Sequence, residues 1–186
     1  AMKRLRVAID TGHRGRLTKP RDPGAVFDGN VESDIIARYA LALELALVAA
    51  GHEVFPLRDR EYSSRAARAR EYHVDIVVAC HVNASATHTA DYGRFLHWPG
   101  SRKGAEAAAL VAAELATVFE WKTTAEAEDP KRWPDAHAII GRYTPPTICA
   151  EPGFLDGPVG RWAFKQANLI EDLGKAIARG INAWAS

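Results

Sequence analysis

The chain has 186 residues, the length of one domain able to bury a substantial core. An apolar fraction of 47% and a charged fraction of 25% are those of an ordinary globular protein and exclude a disordered or coiled-coil chain. Lys and Arg total 24 against 23 Asp and Glu, a net charge of +1 that makes no electrostatic case for nucleic acid or an anionic membrane as partner.

Residues 5–9 read as a short buried strand, too short for a helix. It stops at Asp10-Thr11-Gly12-His13, and a polar, Gly/Pro-rich loop is expected from there to about Asn30. From Val31 the Ala/Leu-rich stretch "ESDIIARYALALELALVAAG" favours a helix, with Glu32 and Asp34 at its start, where the helix dipole favours acids, and Gly51 at its end. Residues 52–58 read as a strand. Residues 63–73 read as a short helix with a serine cap and its arginines on the outer face. "VDIVVACHV" (74–82) is a near-continuous apolar run, as in a strand buried on both faces. A strand over 93–98 and a helix over 101–119 follow, then the irregular polar segment "KTTAEAEDPKRWPDAHA". "PPTICAEPGFL" (145–155) is a strand running into a turn, and "GRWAFKQANLIEDLGKAIARGINAWA" closes the chain as one long amphipathic helix. Cys80 and Cys149 both sit in apolar runs and read as buried free thiols.

Strands alternate with helices, the mark of a layered α/β domain around a mostly parallel sheet. No linker or repeat breaks the chain, so residues 1–186 are expected to form a single domain without a separate binding module. In such sheets, sites form beyond the carboxyl ends of the strands. Three strands end in suitable residues: His13, His81 followed by Asn83, and Glu151. Glu32 stands where the long loop meets the first helix. Two histidines and a carboxylate are a standard ligand set for a catalytic zinc ion with one open position. A further carboxylate is then needed to take and return protons. Each residue alone has an ordinary structural reading, but four of them at four element ends are much harder to explain that way. His52 and His73 precede strands and belong at the opposite edge of the sheet. His97 and His137 could approach the site.

The ordered motifs resemble those of the zinc-dependent N-acetylmuramoyl-L-alanine amidases (amidase type 3) of bacterial autolysins and phage endolysins. "IDTGHRGRLTKPRDPGA" is similar to the family's opening Asp-x-Gly-His-Gly-Gly followed by Asp-Pro-Gly-Ala; "GNVESDI" to Gly-x-x-Glu at a helix start; "VACHVNA" to Ser-Ile-His-Ala-Asn-Ala; and "PTICAEPGF" to the late strand ending Glu-x-Gly-Phe. The resemblance spans nearly the whole chain. It implies a three-layer α/β domain with a twisted, mostly parallel sheet flanked by helices. It implies one zinc ion held by His13, Glu32 and His81, with Glu151 as the catalytic carboxylate. Asp10, Asn83 and Arg142 are expected to orient ligands or contact substrate. The reaction implied is hydrolysis of the amide between N-acetylmuramic acid and L-alanine of the peptidoglycan stem peptide, by a monomer with no nucleic-acid or membrane partner. Arg14 replaces one family glycine, and extra residues in 14–22 form an inserted loop behind His13. No secretory signal is visible, which suits a phage endolysin made in the cytoplasm and equally the excised domain of a secreted autolysin. The same metal chemistry would serve another zinc amidohydrolase or carboxypeptidase-like enzyme, and the fold alone would serve a non-catalytic wall-binding domain.

Overall fold

The computed structural model describes residues 2–13, 22–58, 62–132 and 134–186; the inserted stretch behind His13, apart from Asp22, lies outside them. The elements in chain order are β1 (Arg6–Thr11), β2 (Val26–Phe27), β3 (Asn30–Val31), α1 (Glu32–Ala49), β4 (Glu53–Leu57), α2 (Tyr62–Glu71), β5 (Ile76–Cys80), β6 (Gly93–His97), α3 (Arg102–Leu115), β7 (Thr123–Ala127), α4 (Pro134–Gly141), β8 (Thr147–Glu151), α5 (Gly160–Ala163) and α6 (Ala167–Trp184). Six strands form one sheet in the order β4-β1-β5-β8-β6-β7. The pairs β1–β4, β1–β5, β5–β8 and β6–β7 are parallel, and only β8–β6 is antiparallel. The sheet is thus mostly parallel, with its last two strands reversed.

Side chains alternate across a strand, and that alternation builds the three layers. Val7 and Ile9 of β1, Ile76, Val78 and Cys80 of β5, and Ile148 and Ala150 of β8 face α1, α3 and α6. Ala8 and Val77 face α2, and Leu96 and Cys149 face α4. Helix α1 buries Ile35, Ile36, Tyr39, Leu43 and Leu47 on one stripe, each fully buried aliphatic side chain stabilising the fold by about 1.5–3 kcal/mol. Gly174 lets α6 lie against α1: a Cβ there would sit 2.2 Å from the Tyr39 carbonyl oxygen and 2.8 Å from the Leu43 nitrogen. Both cysteines are buried and free, as expected.

The structure differs from the sequence reading in four places. The loop after β1 contains the β2–β3 hairpin, turned by Asp28 (φ 47°) and Gly29 (φ 82°), an Asp-Gly pair suited to the left-handed turn of a two-residue hairpin. The polar segment after α3 holds the edge strand β7 and the start of α4, which opens with proline at its first position. The closing helix is two: Phe164 turns inward between α5 and α6, its ring 6.1 Å from that of Trp121, and interrupts the run. Finally, not all arginines of α2 face out, because Arg65 is 1% exposed.

Candidate active site

The carboxyl ends of β1, β5 and β8 and the start of α1 converge. Beyond β1, the Gly12 N–H extends the ladder to the Cys80 carbonyl at 2.9 Å. Any side chain at Gly12 would collide with β5: its Cβ would lie 2.5 Å from both the Cys80 oxygen and His81 Cε1. Two strand ends can therefore approach closely enough for both imidazoles to reach one point. His13 takes a left-handed backbone (φ 60°), unusual for a side chain of its size. Contacts at both ends hold it there. Its Nδ1 lies 2.8 Å from Asp22 Oδ1, and its carbonyl accepts from Arg65 at 3.4 Å.

Glu32 opens α1 without a side-chain cap. The N–H groups of Glu32 and Ser33 instead donate to the carbonyls of Ala25 and Pro23, at 2.9 and 3.0 Å. Its carboxylate is thereby free to turn into the site. Oε2 accepts from the Ala25 N–H (2.8 Å) and Oε1 from the Val82 N–H (3.0 Å). Oε1 also stands 3.2 Å from His13 Nε2 and 3.4 Å from His81 Nδ1. The His81 carbonyl accepts from the buried Tyr39 hydroxyl at 2.8 Å, tying this end of β5 to α1. One ligating atom from each of His13, Glu32 and His81 lies within 4.8 Å of the other two. Two nitrogens and one carboxylate oxygen, gathered this closely, are a donor set that fits zinc.

The charges agree with that grouping. Burial pushes the Glu32 carboxyl up, but hydrogen bonds and charge from His13 and His81 outweigh it and hold it well below the usual carboxylate range. Burial likewise works against a charged His13, yet Glu32 and then Asp22 raise its pKa to about 9. Glu151 behaves in the opposite way. Burial is the largest influence on it, His81 pulls it down and Glu32 pushes it up, and the outcome is a pKa raised to about 7. Its Oε2 is buried with no hydrogen-bond partner. The β8 alternation explains where it points: Cys149 faces α4, and Glu151, two residues on, emerges on the same side.

These four residues line a cleft of about 340 Å³, together with Asn83, Asp135 and Arg142 among others. Asn83 is fixed by its backbone, which donates to the Gly153 carbonyl and accepts from the Leu155 N–H, both at 2.9 Å. Asp10 lies beneath the cleft, not in it. It is 1% exposed and accepts from Arg65 and from the Tyr143 hydroxyl, each at 2.5 Å. The same Arg65 donates to the Thr11 carbonyl at 2.7 Å, so the buried pair grips the backbone that leads to His13.

Asp22, Arg65, Tyr143 and Asp135 escaped the sequence reading. Asp22 was legible only as part of "RDPGA", and Arg65 resembled its surface neighbours Arg68 and Arg70. His97 and His137 do not line the cleft. His97 ends the reversed strand β6, opposite Ile148 at the far end of β8, and His137 bonds the buried Glu128 at 2.7 Å. His52 is structural, accepting the Leu5 N–H at 3.1 Å.

The family model for N-acetylmuramoyl-L-alanine amidase matches residues 7–183. Comparison with curated proteins by sequence gives no match. Among solved structures, the chain is similar to the N-acetylmuramoyl-L-alanine amidase AmiC2 of Nostoc punctiforme, with a TM-score of 0.82, 21% identity and 97% of each chain covered. It is similar to the catalytic domain of CwlV, an N-acetylmuramoyl-L-alanine amidase from Bacillus (Paenibacillus) polymyxa var. colistinus, with a TM-score of 0.81, 21% identity and again 97% of each chain covered. It is also similar to the catalytic domain of the CD27L endolysin, with a TM-score of 0.76, 22% identity, and 95% of this chain and 96% of that one covered. At these identities the likenesses speak for the fold.

Proposed function

The chain belongs to the N-acetylmuramoyl-L-alanine amidase family, and from that premise we propose that it hydrolyses the amide between the lactyl group of N-acetylmuramic acid and the L-alanine of the stem peptide. His13, Glu32 and His81 would hold one zinc ion, and Glu151 would move the protons. The observation that carries this reading is the convergence of two imidazoles and a buried carboxylate in one cleft with a second carboxyl whose pKa is raised to about 7.

Held by His13, Glu32 and His81, zinc would supply Lewis acidity toward the scissile carbonyl and make a water acidic enough to attack near neutral pH. Glu151 does the proton work. A carboxyl poised near neutrality takes a proton from the attacking water at its unpartnered Oε2 and returns it to the departing alanine nitrogen. Asn83 and Arg142 act from the cleft walls on the substrate. Asp10, through Arg65, keeps the His13 backbone in place. The biological setting we infer is lysis or remodelling of the cell wall, as by an endolysin, with the chain acting as one catalytic unit.

Digestion of purified peptidoglycan tests the reading. New free amino groups on L-alanine, with no new reducing sugar ends, are the expected products. Release of other amino termini, or of none while the walls are bound, would overturn it.

A further inference from the structure

We propose that a second pocket, on the far side of α4 from the cleft, binds a sugar ring that carries a carboxylate: the muramic acid left on the glycan once its peptide is removed. The inference rests on the amidase reading above. Hydrolysis of the muramoyl amide leaves a lactyl carboxylate on the sugar and an amino group on the alanine, so the ligand is the glycan product of that reaction.

The pocket has a volume of about 410 Å³, a size typical of small-ligand sites. No described residue lines both it and the cleft. Helix α4 separates them: Ile140 and Gly141 face the pocket, while Asp135, Ala138, Ile139 and Arg142 face the cleft from the opposite side of the helix. The reversed strand sets its position. β6 runs against β8 and pairs His97 with Ile148, so the residues after His97 arrive where β8 begins. Thr147, which lines the pocket, stands four residues before Glu151, about 13 Å along the strand.

The walls are set before any ligand arrives. Trp98 is 41% exposed, yet its ring is seated on Gly141, where a Cβ would lie 2.9 Å from Cζ3, and lies 5.0 Å from the His137 ring. Tyr143 is anchored through its hydroxyl to the buried Asp10 at 2.5 Å. Pro145 and Pro146 add backbone of fixed φ. A held aromatic ring with open surface is a platform for the apolar C–H face of a pyranose.

Charge decides which sugar. Arg102 and Lys103 line the pocket, and the described lining residues include no Asp or Glu. Arg102 stands 3.7 Å from Glu106 on an exposed helix turn, a pairing weak enough to yield to a bound carboxylate. The hydroxyls of Ser101 and Thr144 offer hydrogen bonds to those of a sugar. A neutral sugar would use the tryptophan and leave both cations idle, and a bare anion would do the reverse. A carboxylated ring uses both. Every cut in the cleft thus creates a ligand for the other side of α4, and the digested stretch of wall gains a hold on the enzyme.

The test titrates the zinc-loaded chain with the disaccharide of N-acetylglucosamine and N-acetylmuramic acid, with its lactyl amide, and with free lactate. In NMR spectra of the labelled chain, the acid should move the Trp98 indole and Gly141 amide signals saturably. The amide should bind about tenfold more weakly, and lactate should leave these signals in place. Arg102→Gln with Lys103→Gln should bring the acid down to the affinity of the amide. Trp98→Ala should weaken acid and amide alike by about tenfold. Asn83→Ala, in the cleft, should keep the wild-type shifts at Gly141. Thermal melting checks the folding of each variant, and the charge variant alters exposed side chains, so it reports on the pocket even where Trp98→Ala unfolds. Shifts confined to the cleft, equal affinity for acid and amide, lactate binding as well as the disaccharide, or binding untouched by the charge variant would each overturn the inference and leave the amidase reading standing. Release of alanine amino groups from walls is scored on the same preparation. Binding at Trp98 without that release would overturn the amidase reading, and with it the ligand's identity as its product.

Discussion

Arg65 donates to Asp10 at 2.5 Å with both side chains 2% exposed, a buried ion pair one helix away from the strand it steadies. Neither residue touches the cleft, yet Arg65 also holds the carbonyls of Thr11 and His13. Removing one member of such a pair strands the other charge without water, at a cost of about 3–5 kcal/mol. Arg65→Met and Asp10→Asn should each lower Tm by roughly 10 °C in a protein of this length. They should also weaken zinc binding in competition with a chelator. A drop of only a degree or two, with unchanged zinc affinity, would contradict this account.

Glu151→Gln keeps the shape of the side chain and removes the group that exchanges protons. Zinc should stay at one ion per chain by elemental analysis, while wall hydrolysis falls by about 10²–10⁴-fold. Retention of near-wild-type activity would rule Glu151 out of the proton steps.

His81→Ala removes one of the three proposed ligands, and a chelator removes the ion itself. Both treatments should abolish hydrolysis. Added zinc should restore the chelated wild type and leave the variant inactive. A variant that still bound one zinc per chain as tightly as wild type would break the assigned ligand set.

Proton uptake gives an independent view of the same cluster. In the metal-free chain His13 is raised from 6.5 to about 9. Its pairing therefore contributes its full stability below about 6.5 and loses it as pH rises through about 9. Glu32 is lowered, so its contribution is present above 4.5 and is lost as pH falls through its depressed value. Metal-free stability from this cluster should thus peak between pH 4.5 and 6.5. Zinc needs a neutral imidazole, so loading at pH 7 should release about one proton from His13. Calorimetry in two buffers of different ionisation enthalpy measures that number, and a value near zero would contradict the pairing.

Gly12→Ala places a methyl group against the Cys80 carbonyl and the His81 ring. Overpacking of this kind costs about 1–3 kcal/mol. Here the displaced group includes a proposed ligand, so zinc affinity should fall more than Tm does. Melting curves with and without zinc would show the stabilisation by the ion shrinking in the variant.

The three strands that end in His13, His81 and Glu151 were legible because each is buried on both faces, so its apolar run stops abruptly where the chemistry begins. Glu32 was legible as an acid opening an Ala/Leu-rich helix. Other elements of the fold carry weaker marks. Strand β7, "TTAEA", pairs on one side only and stays half-buried, so its composition hardly differs from a loop. Helix α4 spans eight residues and buries only Ala136 and Ile140, too few to show a period. Arg65 sits in a row of similar arginines, and what sets it apart is Asp10, 55 positions earlier in the chain. The wall that faces the substrate is therefore written in tertiary contacts, while the centre it encloses is written in local pattern.

Tyr39 joins the reacting centre to the helix layer behind it. Its hydroxyl holds the His81 carbonyl, and its own carbonyl is the surface on which α6 rests at Gly174. The reacting centre can consequently be damaged from behind. Any side chain at Gly174 would lever α1 away from α6, and α1 carries both Glu32 and the tyrosine that steadies His81. A substitution on the outermost layer would then present itself as poor metal retention in an enzyme whose cleft residues are all intact.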